Sequence, residues 1–568
     1  MQNFLLEDLK KFLGQNIVDM LIEWTPTSDA VFTKSRLIDM ISTIHGFNIL
    51  KNKEFRKTIL YKMKETEINS FCGCLSANER KSLNTTVLIN IIANKSWGAN
   101  SITMHWRELL EIQLGMTETV EEEELTTEKI EAYGRFFELL DYQFVTRQQI
   151  LKVINSDIEV PGLLVHMPTG TGKTKTAMHT IMHHYNFNLN SKGLIIWMAH
   201  TTELLDQALE TLKTTWKHIG LGNANIYRIW GNHELNVSDE TELNGFMVCG
   251  FQKMISIMQN RPDLFNKICN DCRLIVVDEA HKAVATETKK VIVEIMKKKP
   301  GMSNRALIGL TATPGRTMDD GVENQRLVNM FDNRIITIDP HKIENIHMGN
   351  FERQNIELEK DIITYLQERR ILAKIKREKL IYEGSLAEEE IKKIKIQATA
   401  NGYHDFNKEF LQIIGKNKRR NMAILNKLLE VNQKKLPTIV FACSVEHGIL
   451  LSAALSLQGI QNECVFGHMD HQERKKVIRR FKDRDDDLNI LINYEVLTTG
   501  FDATNIRCVF IARPTQSIVL YSQMLGRGLR GPLMGGNEEC LLVDVEDNLN
   551  RYVDESMAFA YFNNYWSN

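Results

Sequence analysis

Apolar residues recur at three- and four-residue spacing through Leu5–Trp24 and Ser35–Ile49, and again through Phe55–Met63, so residues 1–125 predict amphipathic helices. Further on the pattern changes. Gly162-Leu-Leu-Val-His166, Gly193-Leu-Ile-Ile-Trp-Met-Ala199, Phe246-Met-Val-Cys249, Leu274-Ile-Val-Val277 and Ala306-Leu-Ile-Gly-Leu310 are short continuous apolar runs separated by helical stretches. Alternation of this kind predicts a parallel sheet between layers of helices. A long charged segment with helical patterning, from about Gln354 to Lys435, then intervenes. A second series follows it: Thr438-Ile-Val-Phe-Ala442, Glu463-Cys-Val-Phe466, Asn489-Ile-Leu-Ile-Asn493, Arg507-Cys-Val-Phe-Ile-Ala512 and Cys540-Leu-Leu-Val-Asp544. The pattern thus predicts an α/β protein. Residues 1–125 are all-α, 126–345 a first α/β domain, 346–420 a charged helical connector, and 421–568 a second α/β domain with a short tail.

In parallel sheets of this type ligands bind at the carboxyl ends of the strands, and the chain's distinctive chemistry falls there. After the first run comes Met167-Pro-Thr-Gly-Thr-Gly-Lys-Thr174, which opens a helix. Gly170 and Gly172 can adopt backbone angles closed to other residues, turning N–H groups of Thr169, Thr171 and their neighbours toward an anion at the helix N-terminus. Lys173 adds a positive charge for the β- and γ-phosphates, and Thr174 a hydroxyl for Mg²⁺. Met167 stands where this loop usually has glycine or alanine, and is expected to pack beneath it. About 30 residues upstream lies Leu139-Leu-Asp-Tyr-Gln143. The Gln143 amide both donates and accepts, which suits the edge of adenine, with Gln148 and Gln149 in reserve.

The run at 274–277 leads into Asp278-Glu-Ala-His281. Asp278 is placed to hold the nucleotide's Mg²⁺ through water, and Glu279 to orient or deprotonate the attacking water. Behind the next run, Gly309-Leu-Thr-Ala-Thr-Pro-Gly-Arg316 offers small hydroxyls that can sense the phosphate.

Composition narrows the picture only a little. The 568 residues are 43% apolar and 25% charged, with a formal net charge of -2, so any nucleic-acid surface must be local. The nine cysteines are scattered, and Cys72-Gly-Cys74 and Cys269-Asn-Asp-Cys272 have no matching second pair for zinc, so reduced structural thiols and a cytoplasmic setting are expected. No run of 18 apolar residues predicts a membrane span. Glu54-Phe-Arg-Lys57 reads as a solvated helix face, Val120-Glu-Glu-Glu-Glu-Leu125 as a boundary, and Glu388–Lys395 and Lys416–Arg420 mainly as solvated charge. Tyr552, Phe559, Tyr561, Phe562, Tyr565 and Trp566 are expected to pack onto the last domain.

Taken in order, Pro-Thr-Gly-Thr-Gly-Lys-Thr, Asp-Glu-Ala-His and Thr-Ala-Thr-Pro resemble the superfamily 2 helicases and translocases. Within them Ala199-His-Thr-Thr-Glu-Leu-Leu-Asp-Gln207, Ala512-Arg-Pro-Thr515 and Gly526-Arg-Gly-Leu-Arg-Gly-Pro532 are most similar to the restriction and repair group, including the type III restriction motor subunits. The resemblance spans roughly residues 139–550. It implies two tandem RecA-like domains, ATP hydrolysed between them, and Arg527 and Arg530 as arginine fingers, expected three apart on one helix face. It also implies Gly500 and Asp502 at the nucleotide, and nucleic-acid contacts at His200, Thr201, Gly250, Gln252, Ser444, Thr498 and Thr499. Met524 follows Gln523 where RNA helicases of this superfamily carry arginine. The expectation is therefore an ATP-dependent DNA helicase or duplex-DNA translocase of a prokaryotic anti-phage or repair system, with residues 1–125 docking a protein partner or gating the motor. The alternatives are an ATP-driven assembly switch that recruits a nuclease, and an RNA helicase.

Overall fold

The computed structural model describes residues 5–24, 32–76, 79, 84–97, 101–114, 125–132, 138–156, 161–235, 242–297, 305–315, 321–347, 361–382, 405–467, 469, 471–483, 488–498, 503–545, 559–562 and 565–566. The chain divides into two compact units that do not follow chain order. Met1–Glu123, Ile381–Gly384 and Lys408–Glu495 form one, and Glu124–Leu380, Ser385–Asn407 and Val496–Asn568 the other.

The second unit contains an eight-stranded sheet built from β1 (Thr127–Glu131), β2 (Gly162–His166), β3 (Leu194–Ala199), β4 (Asn223–Ile229), β5 (Gly245–Gly250), β6 (Cys272–Asp278), β7 (Ala306–Thr311) and β8 (Ile335–Thr337). Their order is β1-β4-β5-β3-β6-β7-β2-β8, and only β1 pairs antiparallel. The five apolar runs of this half become β2, β3, β5, β6 and β7, five of the six interior strands of the sheet. β2, β3 and β7 are buried along their whole length, as strands covered by helices on both faces must be. The polar edge strand β1, the three-residue edge strand β8 and the interior strand β4 carry no such run and are not anticipated by the pattern.

The same unit holds β9 (Lys374–Leu380), and the first unit β10 (Thr438–Phe441), β11 (Asn462–Val465) and β12 (Ile490–Asn493). In the first unit β12 lies between β11 and β10, all parallel. In the second unit β13 (Cys508–Ile511) and β9 flank β14 (Glu539–Val545), again in parallel. The chain is thus an α/β protein with two parallel-sheet domains flanked by helices.

The expectation of an all-helical connector is corrected by β9. Lys374-Ile-Lys-Arg-Glu-Lys-Leu380 is a charged strand, and lysine-rich charge on an edge strand keeps it from pairing with other chains. The helices Ile362–Glu368, Lys408–Gly415 and Lys418–Gln433 supply the rest of the described connector. In the basic cluster Lys416, Lys418 and Arg419 are exposed, whereas Arg420 is fully buried, its Nη1 3.8 Å from Cys443 Sγ. The solvated-face expectation for Glu54–Lys57 is corrected as well: Arg56 is buried and its Nη2 donates to Lys95 O (2.8 Å) and Ala93 O (2.6 Å), tying two helices together. Glu388–Lys395, Tyr552 and residues 120–124 lie outside the described residues.

The expectation that the aromatic tail packs onto the last domain is corrected in part: Phe562 meets Ile518 and Val519 there, but the described aromatics seat mostly on the first α/β domain. Trp566 joins the core beneath the first sheet and donates its Nε1–H to Pro314 O at 2.7 Å. Phe562 is fully buried against Gly315, where a Cβ would come 2.0 Å from its ring, and Phe559 stacks on His166 at 3.9 Å. None of the nine cysteines is in a disulfide. Among the described residues no helix is long and apolar enough to cross a membrane.

Candidate active site

The phosphate loop runs from β2 to the helix Lys173–His183 and is built as its sequence requires. Gly170 and Gly172 have φ of +90° and +76°, angles that L side chains rarely adopt. A Cβ at Gly172 would also lie 2.4 Å from Gln143 Nε2, so any side chain there would displace the Gln143 amide. Thr171 is buried and its hydroxyl donates to Pro168 O (2.7 Å), closing the turn from within. Met167 is fully buried; its N–H donates to Thr311 O (3.2 Å) and its carbonyl lies 3.5 Å from Lys173 Nζ. Burial pushes the Lys173 ammonium below its usual range, Glu279 and Asp278 oppose that, and Arg527 adds to it.

Gln143 is buried with both ends of its amide engaged. Its Nε2 donates to Thr171 O at 3.0 Å, and its Oε1 accepts from Leu140 N at 3.0 Å. Tyr142 Oη donates to the same Thr171 carbonyl at 2.7 Å. The Tyr-Gln pair therefore props the loop. A cavity of about 600 Å³ opens beside it, lined among others by Glu138, Leu139, Asp141, Phe144, Arg147 and His179. Phe144 is 37% exposed there, with the Arg147 guanidinium 4.9 Å over its ring. Sequence reading singled out neither residue, although an aromatic and an arginine three apart on a helix was the available signal. Of the reserve glutamines, Gln148 is exposed and Gln149 faces Ile335–Lys342.

At the end of β6, Asp278 and Glu279 are both buried. Asp278 Oδ1 accepts the Glu279 N–H (3.0 Å), and Glu279 itself has φ +50°, a left-handed conformation unusual for a non-glycine residue. Burial and the neighbouring Glu279 charge push the Asp278 carboxyl up, to about 7. Burial would raise Glu279 too, but the His281 ring, 3.3 Å from its Oε2, together with Lys173 outweighs it and holds Glu279 ionised. His281 Nδ1 is 3.5 Å from Thr311 Oγ1, which also accepts from Thr313 N (3.1 Å) and donates to Thr313 O (2.7 Å). The Thr-Ala-Thr turn is thereby connected to the acidic strand end.

Arg527 and Arg530 stand in the same compact unit, and the expectation that they share a helix is corrected. The helix Ile518–Leu525 ends before them, Arg527 sits in a turn, and Arg530 forms an isolated bridge with Leu372. The glycines decide this. A Cβ on Gly526 would lie 2.6 Å from Thr169 Cβ, and one on Gly528 2.4 Å from Cys540 Sγ, so the segment is a tight loop pressed on the phosphate loop. A Cβ on Gly170 would in turn meet Arg530 Cγ at 3.3 Å. Arg527 Nη2 donates to Thr498 O (3.0 Å) and its Nε to Gln523 O (3.3 Å). Burial lowers both guanidinium groups to about 10, which leaves them charged at neutral pH.

The nucleic-acid candidates divide. His200 and Thr201 follow β3 and Gly250 ends β5, strands that pair with Ala199 opposite Gly250, and His200 stacks on Phe251 at 4.4 Å, next to the exposed Gln252. Thr201 caps the helix Thr202–Ile219. Thr498 is buried under Arg527, and Ser444 caps the helix Val445–Leu457 in the other unit. Thr499, Gly500 and Asp502 lie outside the described residues.

Residues 136–316 match the family model for the res subunit of type III restriction enzymes, and residues 420–531 match the helicase conserved C-terminal domain. Among curated proteins, the mitochondrial ATP-dependent helicase irc3 of Schizosaccharomyces pombe is 27% identical over 413 residues, covering 70% of this chain and 56% of its own length. The ATP-dependent helicase IRC3 of Saccharomyces cerevisiae is 25% identical over 391 residues, covering 67% and 48%. The chain spans about half the length of these relatives. Among solved structures, the DUF1998 helicase MrfA bound to DNA is similar with a TM-score of 0.48 and 15% identity, over 81% of this chain and 58% of that one. An HsdR fragment of a type I restriction enzyme from Vibrio vulnificus YJ016 has a TM-score of 0.46 and 18% identity, over 72% and 64%. Both likenesses are of fold alone. The phosphate loop, the Asp-Glu-Ala-His strand end and the Gly-Arg-Gly-Leu-Arg turn stand where the two family models run, and the chain belongs to superfamily 2 of the ATP-dependent helicases, related to the type III restriction motor subunits.

Proposed function

We propose that the chain is an ATP-driven motor on DNA, a helicase or duplex translocase. The observation that carries the reading is convergence: a phosphate loop, an acidic pair and two arginines meet within one compact unit, with Gly526 and Arg530 pressed against Thr169 and Gly170. ATP lies with its phosphates in the loop and its base toward Phe144 and the adjoining cavity, and Gln143 acts on the base side mainly by holding Thr171. Thr174 and Asp278 offer hard oxygen donors and would hold Mg²⁺, whose contribution is to neutralise phosphate charge. Glu279, kept ionised, takes a proton from the attacking water, while Arg527 and Arg530 stabilise charge on the departing phosphate. The His281–Thr311–Thr313 contacts carry the change from the acidic strand end toward the polypeptide that follows β7.

DNA as the track is supported by the restriction res-subunit match and by Met524 after Gln523. The strand would run along His200, Thr201, Gly250 and Gln252, with Ser444, Thr498 and Thr499 as further contacts. In this reading residues 1–125 dock a protein partner or gate the motor, and the setting is a cytoplasmic anti-phage or repair system. ATP turnover measured with duplex DNA, single-stranded DNA and RNA tests the proposal. Stimulation by either DNA is expected; stimulation by RNA alone, or by none of the three, would overturn it.

A further inference from the structure

The helix Ile362–Glu368 ends in a turn that gives Arg369 and the residues after it different tasks. Arg370 N donates to Gln367 O (3.0 Å) and Ile371 N to Leu366 O (2.9 Å), the pair of bonds that closes a helix around a left-handed residue. That residue is Arg370, at φ +58°, where glycine is usual.

Arg369 reaches the helix that props the phosphate loop. Its Nη2 donates to Asp141 Oδ2 at 2.5 Å, and its Nη1 to Tyr365 Oη at 3.0 Å, with the guanidinium 5.5 Å over the Tyr365 ring. Asp141 opens the helix Asp141–Ile154, and its other oxygen accepts the Tyr142 N–H at 2.7 Å. The next two side chains, Tyr142 and Gln143, are the ones that hold Thr171 O.

Residues 370–373 meanwhile grip the arginine turn through the main chain. Leu533 N donates to Arg370 O (3.1 Å), Gly531 N to Ile371 O (2.9 Å), and Ala373 N to Leu529 O (2.8 Å). These bonds bracket Arg530. A side chain on Gly531 would stand 2.4 Å from Arg370 O, so the two segments cannot be separated by a larger residue without moving the turn.

We propose that Arg369 is a positioning residue which, through Asp141, keeps the Arg530 turn in register with the phosphate loop. The inference rests on the reading that Arg530 serves phosphate transfer. The ion pair connects the prop of the loop, residues 141–143, to the three-bond cradle of Arg530. Breaking it leaves the ATP contacts in place and lets the guanidinium drift from the γ-phosphate. It therefore acts on turnover more than on binding.

The test is a double-mutant cycle on the full chain with Asp141→Asn, Arg369→Gln and the two combined, reading kcat and KM for ATP and the Kd for ADP. Each single change is expected to lower kcat about tenfold, with KM and the ADP Kd of Arg369→Gln, which does not line the base cavity, within about threefold, and the double variant to be no slower than the slower single. Multiplying losses in the double variant, or an unchanged kcat, would overturn the tie. A rise in KM with kcat intact would do so too, because it marks a role in binding. Asp141→Asn keeps its size and the acceptor for Tyr142 N–H, so it carries the test even where Arg369→Gln lowers the melting temperature. Arg530→Ala separates the two levels. If it turns over ATP like the wild type, the reading of Arg530 fails; if it is inactive and Asp141→Asn is not impaired, only the tie fails.

Discussion

Single residues show where the chain's chemistry is written in side chains and where in the backbone. Lys173, Asp278 and Glu279 were legible because each follows a buried apolar run in a pattern few other roles explain. The strain at Glu279, φ +50°, was not, since nothing in Asp-Glu-Ala-His distinguishes a left-handed glutamate from an ordinary one. The Arg369–Asp141 pair joins positions 228 apart, and two unremarked charges at that separation carry no local signal. Met167 illustrates the opposite case, a visible departure with a small consequence. Its functional contacts are made by its N–H and carbonyl, which any residue supplies, while its side chain is fully buried. Met167→Ala is therefore expected to cost about 2–4 kcal/mol of stability through the cavity it leaves. At temperatures well below the lowered melting point its kcat should stay within about twofold, because the loop's main chain is unchanged. A melting curve and an ATP turnover assay on the same variant check both halves, and a large kcat loss in a folded protein would show that the side chain shapes the loop.

Among elements, strands built from continuous apolar runs were legible and those without one were not, β4 inside the sheet included. Continuous apolar runs mark β2, β3, β5, β6 and β7, whereas β9 is a run of charges that reads as helix until its pairing with β14 is known. The arginine turn is the instructive miss. Three-residue spacing of Arg527 and Arg530 suits a helix, but Gly526 and Gly528 are there for close approach, and closeness to Thr169 and Cys540 depends on segments far away in sequence. Gly526 has φ −56°, so alanine is tolerated by the backbone and its nearest clash is with Thr169. Gly526→Ala should thus push the turn off the phosphate loop, lowering kcat by about tenfold to a hundredfold, since a misplacement near 1 Å at a reacting centre has that effect. The fold should persist, as judged by an unchanged far-UV spectrum and cooperative melting. Wild-type turnover in this variant would mean that the turn does not need its close seat on Thr169.

For the whole molecule, the order of the chain and the order of packing differ. The N-terminal helices were read as a separate appendage, yet residues 1–123 share a compact unit with 408–495. The helix Lys34–His45 packs on the helix Val445–Leu457 and on β11, with Leu37, Met40 and Ile41 buried. A sign of this was present in Val445-Glu-His-Gly-Ile-Leu-Leu-Ser-Ala-Ala-Leu-Ser-Leu457: His447, Gly448 and Leu450 through Leu455 are buried, so the helix has little face to give to solvent. A helix on a sheet with apolar residues all round needs a second cover, and the N-terminal helices provide it. Each large apolar side chain that loses such cover costs about 1.5–3 kcal/mol, and several are involved, which is comparable to the whole stability of a domain. Deleting residues 1–123 is therefore expected to destabilise residues 408–495 directly. The shortened chain should bind a hydrophobic dye and lose the urea transition of that unit, or precipitate, before any effect on ATP turnover can be read. A soluble shortened chain with the wild-type urea midpoint would instead establish the helices as a detachable arm, and only then would a purely gating or partner-docking role for them be compatible with how they pack.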